Sequence, residues 1–263
     1  MAARVEHHMG TAVGVDVRDS DASAVVVQRA LGAFFAELEA LERRFSPWLS
    51  DSEISRIGRG ELAEADAAAD VRWVLAACDH LRVASDGAFD IHVGTRFPLD
   101  PSGLVKGWAV DEAARHLAEA GIRNYAVNAG GDVLLRGAPG PGRAWRVGVR
   151  HPDRADHLAA VLAVPSGAVA TSGLYERGEH VRDGRTGGAP QELRSLTVVG
   201  PELPWADAYA TAAFAMGLPG LEWVHDRPGY GALAVTVDDR LVWTPTIAPL
   251  LMKVSDPGDL LVA

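Results

Sequence analysis

Apolar residues in the first half of the chain recur at threes and fours. In the segment Asp21 to Phe45, Leu31, Phe34, Phe35, Leu38, Leu41 and Phe45 fall on one stripe, which predicts a long amphipathic helix capped by Ser20 or Asp21. The same period predicts a second helix over roughly Ala67 to Ser85, ended by Asp86-Gly87, and a third from about Leu104 to Ala120, stopped at Gly121. A polar segment, Ser46 to Gly60, separates the first two, and the stretch up to Ser102 reads as loop. Elsewhere the pattern alternates by twos. Val13, Val15 and Val17 mark a strand over Thr11 to Val17, and short strands are expected at Tyr125 to Asn128, Asp132 to Leu135, Trp145 to Arg150, Ala159 to Val164 and Leu196 to Val199. A helix over Ala206 to Met216 precedes two last strands, Ala232 to Val237 and Leu241 to Trp243, around the turn Asp238-Asp239. Helices and strands are mixed without a regular βαβ alternation, which predicts an α+β fold.

Composition narrows the function classes. The chain has 263 residues, enough for one large domain or two intimately packed lobes, and nearly half of them are apolar. A formal net charge of -10 argues against a nucleic-acid partner, although a metal and a few local cations can still reverse the field within one cleft. Lys106 and Lys253 are the only lysines, and Cys78 is the only cysteine, so an intrachain disulfide and a cysteine metal cluster are both excluded. Cys78 shares an apolar helix face with Val71, Val74, Leu75 and Leu81 and reads as core. Met1 to Gly10 is polar, and no stretch approaches the roughly 20 apolar residues of a membrane span. The expectation is a soluble cytoplasmic protein.

Several segments carry chemistry. Asp207 and Thr211 are four apart in the helix Ala206 to Met216, so a carboxylate and a hydroxyl share one face. Two hard oxygen donors suit Mg²⁺; a cap and a solvated neighbour would show the same spacing. The run Asp100 to Asp111 is a polar turn entering a helix, with Lys106 in its first turn. Helix N-termini attract phosphate, and a lysine adds a point charge. Asn128-Ala129-Gly130-Gly131-Asp132 offers paired glycines between two strands, as a ligand approach or a hairpin turn. Thr171-Ser172-Gly173 presents hydroxyls to a ligand edge or makes a serine/threonine turn. His180 stands at one end of an expected strand and the turn Asp183-Gly184-Arg185-Thr186 at the other, a possible base and phosphate clamp. Asp90, in Gly87-Ala88-Phe89-Asp90, is a turn aspartate or a ligand contact.

These blocks, in this order, together with Met9-Gly10-Thr11 and the segment Phe45-Ser46-Pro47-Trp48 to Ser55, resemble the ApbE family of Mg²⁺-dependent FAD:protein FMN transferases. The match spans nearly the whole chain. The resemblance implies an α+β, T-fold-related architecture of mixed sheets and packed helices, with a flavin cleft between two lobes of one domain, 1–263. It implies Mg²⁺ held by Asp207, Thr211 and the carbonyl of Gly103, and FAD contacts at Met9, Trp48, Ala88, Phe89, Asp90, Asp100, Lys106, Thr171, Ser172 and His180. His180, Asp207 and Lys106 are the expected catalytic groups, His180 as general base or as a ligand contact. The implied reaction moves FMN from FAD to a threonine hydroxyl of an acceptor flavoprotein and releases AMP; a Mg²⁺-dependent FAD pyrophosphatase and a non-catalytic FAD-binding protein are the alternatives. Four departures from the family pattern stand out: a short segment between Asp90 and Asp100, Leu174 where an aspartate is common, Ile91-His92 where Pro-Thr is typical, and Gly184 where proline is.

Overall fold

The computed structural model describes residues 2–93, 96–154, 156–173, 181–252 and 260–262. Eleven strands and six α-helices are found among them. In chain order these are β1 (Ala2–His8), β2 (Thr11–Val17), α1 (Ala24–Phe45), α2 (Glu53–Gly58), α3 (Ala69–Ala84), α4 (Ser102–Glu119), β3 (Tyr125–Ala129), β4 (Asp132–Arg136), β5 (Trp145–Arg150), β6 (Leu158–Val164), β7 (Gly167–Gly173), β8 (Leu193–Gly200), α5 (Leu203–Met216), α6 (Pro219–His225), β9 (Gly231–Thr236), β10 (Leu241–Trp243) and β11 (Leu260–Val262). The result is the α+β architecture that the element order predicts.

Eight strands form one sheet in the order β1-β2-β3-β4-β7-β8-β9-β10, every neighbouring pair antiparallel. A second sheet, β11-β5-β6, covers part of it. Side chains alternate across a strand, and that alternation divides the interior into two layers. Tyr125, Val127, Leu134, Ala168, Ala170, Leu196, Val198, Ala232 and Ala234 face the helices, in a core shared with Leu31, Phe34, Leu38, Leu104 and Phe214. Their neighbours Ala126, Val133, Leu135, Val169, Val199 and Leu233 face the small sheet and meet Trp145, Val147, Val149, Leu162 and Val164.

The predicted helices are present with shifted starts. Ser23, rather than Ser20 or Asp21, caps α1, its side chain accepting from the Val26 N–H at 3.3 Å. Helix α4 begins at Ser102, so Lys106 lies one turn in rather than in the first turn, and α5 begins at Leu203 with Pro204 among its first residues. Four elements depart from the sequence expectation, one of them strand β11, which follows the two strands expected to be the last. The polar N-terminus is strand β1, an edge strand whose Val5 is exposed, so no apolar alternation announces it. The polar segment 46–60 holds the short helix α2, capped by Ser52, and Pro219-Gly220 opens α6 where no helix was expected. The strand expected between His180 and the turn is not found among 181–183, which carry no regular structure, and 184–187 turn. No described helix is long and apolar enough to cross a membrane.

Candidate active site

Helix α5 positions the first two candidate residues. Ten of its fourteen residues are buried, most of them alanine. A helix apolar on nearly every side is a core element, and a carboxylate inside it needs partners. Asp207 is 5% exposed. Its Oδ2 accepts the backbone N–H of Gly107 at 3.0 Å and lies 3.4 Å from the Lys106 ammonium. One turn on, the Thr211 hydroxyl is 3.3 Å from that of Ser172 on β7.

Helix α4 runs antiparallel against α5 with glycines at the contact. A Cβ at Gly107 would lie 2.7 Å from the Leu203 carbonyl oxygen and 3.0 Å from Asp207 Cβ; at Gly103 it would lie 3.1 Å from the Phe89 ring and 3.4 Å from Thr211 Oγ1. Glycine at 103 therefore lets the Phe89 ring and Thr211 pack closely against α4. In a regular helix the N–H of residue 107 is donated to the carbonyl of residue 103. Asp207 competes for that N–H, which leaves the Gly103 carbonyl better able to serve another electrophile.

The sequence missed one member of this group. Asp132, the first residue of β4, is ion-paired with Lys106, and its Oδ1 accepts the Thr171 N–H at 3.1 Å. It shares strand parity with Leu134 and so faces the helices; that parity is the signal that could have found it. Gly130 (φ 62°) and Gly131 (φ 101°) make the tight β3–β4 turn that places Asp132, and Asn128 Oδ1 accepts the Gly131 N–H at 2.9 Å.

The Gly87–Asp90 block lies beside this group. Phe89 is over Gly103, and its N–H donates to Ser85 Oγ at 3.0 Å. The Ala88 carbonyl accepts the Gly184 N–H at 3.1 Å. A Cβ at Gly184 would collide with the Gly87 carbonyl oxygen, so glycine where proline is typical permits this close seat. Asp183 holds the turn through Arg185, Oδ2 to the guanidinium at 2.7 Å. Burial raises the Asp183 pKa, but the bonds and charge of Arg185 outweigh it and hold the carboxyl below its ordinary value. Asp90 Oδ1 accepts the His92 N–H at 2.8 Å; Asp100, just before α4, accepts the Ser102 N–H at 3.1 Å.

The remaining candidates fall elsewhere. Thr171 points to the opposite face of the sheet, its hydroxyl 2.8 Å from that of Thr197; only its backbone joins the site. Met9 (φ 52°) and Gly10 (φ 73°) form the β1–β2 turn, where Met9 packs on the core. Trp48 is 67% exposed, edge-on to Phe97 at 4.8 Å with Arg96 over its ring. His180 and Leu174 lie outside the described residues.

Among the described residues no group of three His, Cys, Asp or Glu side chains stands together to hold a metal. A cation here would take hydroxyl and carbonyl donors beside one carboxylate, an all-oxygen set that fits a hard divalent ion.

Residues 9–98 and 94–234 match the model of the ApbE family. The FAD:protein FMN transferase of Escherichia coli (strain K12) is 32% identical over 148 residues, covering 52% of this chain and 42% of that protein. That of Klebsiella pneumoniae (strain 342) is 33% identical over 129 residues, covering 45% and 37%. These alignments thus span less than half of either relative. The FAD:protein FMN transferase of Haemophilus influenzae is 24% identical over 272 residues, covering 80% of this chain and 79% of its own length. Among solved structures, the flavin transferase ApbE from Vibrio cholerae superposes with a TM-score of 0.83 at 23% identity, covering 95% of this chain and 99% of the other. An ApbE protein from Thermotoga maritima gives 0.84 at 24%, covering 96% and 99%. Both likenesses are of fold.

Proposed function

The chain belongs to the ApbE family, and from that premise we propose that it transfers FMN from FAD to a threonine hydroxyl of an acceptor flavoprotein, with Mg²⁺ as cofactor. The observation that carries this reading is the meeting of Asp207, Thr211 and Gly103 beside Lys106, one turn into α4.

In this reading the acceptor hydroxyl oxygen attacks the FMN-side phosphorus of FAD. A new P–O ester bond forms, the bond to the AMP phosphate oxygen breaks, and AMP leaves. The obstacle is charge, since an oxygen nucleophile approaches an anionic pyrophosphate. Bound Mg²⁺ supplies Lewis-acid neutralisation of that pyrophosphate. Asp207, Thr211 and the Gly103 carbonyl hold it. Lys106 adds a positive charge beside the leaving group, and the start of α4 contributes its dipole. Phe89 packs on Gly103, and the turn 183–187 seats against Gly87 and Asp90 beside it. His180 receives the acceptor proton as general base, or contacts the bound FAD; the two roles separate on whether His180→Ala loses turnover or affinity.

Mass spectrometry of a flavin-acceptor domain incubated with this protein, FAD and Mg²⁺ tests the proposal. The expected product is the acceptor carrying one FMN on a threonine, with AMP released in equal amount. Free FMN and AMP without acceptor labelling would replace transfer by hydrolysis, and no turnover in either assay would leave a flavin-binding protein.

A further inference from the structure

Two buried carboxylates in the candidate site face one ammonium. The Asp132 and Asp207 side chains are 2% and 6% exposed, and Lys106 touches the first and stands 3.4 Å from the second. The three groups differ in freedom. Asp132 is pinned at the start of β4, its other oxygen accepting the Thr171 N–H from the neighbouring strand. Asp207 is fixed by the Gly107 N–H. Lys106 rides on a flexible four-carbon stem and is the member that can move.

We propose that Asp132 is a positioning residue for the metal centre: it draws the Lys106 ammonium toward the strand side and so weakens the hold of that ammonium, 3.4 Å from Asp207, on the carboxylate that ligates the divalent cation. This rests on the reading that Asp207 and Thr211 hold Mg²⁺. Without Asp132 the nearest carboxylate for Lys106 is Asp207. The ammonium then settles there as a tethered competitor of like sign to the metal. With Asp132 present, the same ammonium stays beside the site as a second positive charge for the pyrophosphate. The division of labour explains why a site that needs one carboxylate ligand contains two. A bystander role for Asp132, as one more negative charge near the metal, makes a different prediction: its removal weakens cation binding equally whether or not residue 106 is a lysine.

A double-mutant cycle separates the two. Mg²⁺ affinity is measured by titration calorimetry on the full chain without FAD, for the wild type, Asp132→Asn, Lys106→Gln and the double variant. Positioning predicts that Asp132→Asn weakens Mg²⁺ at least about tenfold more in the presence of Lys106 than in its absence. Equal losses in the two backgrounds overturn it. If Asp132→Asn does not fold, as judged by circular dichroism, Asp132→Ser keeps an acceptor for the Thr171 N–H and completes the same cycle. Asp207→Asn is the control on the underlying reading. Unchanged Mg²⁺ affinity in that variant removes the metal assignment and the positioning role together. Lost affinity with an additive cycle removes the positioning role alone.

Discussion

The two faces of the eight-stranded sheet are built from the same strands and do different work. Toward the small sheet, Val133, Leu135, Val169, Val199 and Leu233 meet an apolar layer. Polar groups on that side satisfy one another, as Thr171 and Thr197 do at 2.8 Å. Toward the helices, Asp132 and Ser172 extend from adjacent strands to Lys106 and Thr211. One residue of shift along β7 separates a hydroxyl that stabilises the sheet from one that touches the candidate metal site. Strand parity, more than residue type, assigns the role.

The strongest way to break this contrast is Asp207→Ala. It should lower Mg²⁺ affinity by more than about 100-fold, beyond the loss typical of outer-shell partners, and abolish AMP release; titration calorimetry and a coupled AMP assay measure the two. Retained AMP release in this variant would move the chemistry off the helix face. Next come paired glycine substitutions. At Gly107 the new methyl meets backbone, the Leu203 carbonyl oxygen at 2.7 Å, whereas at Gly148 in β5 it meets only the mobile ends of Leu158 and Leu260 at 3.0 Å. Thermal or urea unfolding should show Gly107→Ala destabilised by about 2–3 kcal/mol and Gly148→Ala by about 1 kcal/mol or less. Equal losses would mean that the α4–α5 contact yields as easily as the outer face of the small sheet.

The smaller effects sharpen the comparison at neighbouring positions. Thr171→Val strands the Thr197 hydroxyl and should cost about 1–2 kcal/mol of stability with Mg²⁺ affinity unchanged. Ser172→Ala should leave the melting temperature nearly constant and weaken Mg²⁺ by about 10-fold, as loss of a group supporting a metal ligand does. A reversal of that pattern would refute the parity argument. The smallest effect concerns pH. Asp183 has its folded pKa below the unfolded value of about 3.9. Its contribution is therefore complete above the unfolded value and is lost as pH falls through the folded one. The protection factor of the Gly184 amide, whose N–H bonds to Ala88, should fall on acidification through that window, measured against the intrinsic exchange rate at each pH, before those of β5 and β6 respond.

The sequence made much of this visible where period carries information. Helices α1, α4 and α5 and the inner strands follow from apolar spacing, and Asp207 with Thr211 follows from a four-residue interval. Edge strand β1 stayed hidden because Arg4 and Glu6 alternate there with small or exposed residues, and α2 and α6 are too short for a period to register. The Lys106–Asp132 pair joins a helix to a strand across a turn, a contact that no local spacing encodes. Thr171 and Ser172 were equal candidates because hydroxyl chemistry alone does not tell which of two adjacent residues points inward. The parity of Val169 and Ala170 on the same strand does.

Alanine in α5 has a consequence of scale. Ala206, Ala208, Ala210, Ala212, Ala213 and Ala215 are all buried in a helix that packs on β7 and β8, and their small volume lets the helix axis sit low over the strands. That height is what allows a short threonine arm to reach a serine on β7. Leucine at a position facing the strands would act as a shim, lifting the whole helix and detuning the site from a place that no substrate atom ever visits.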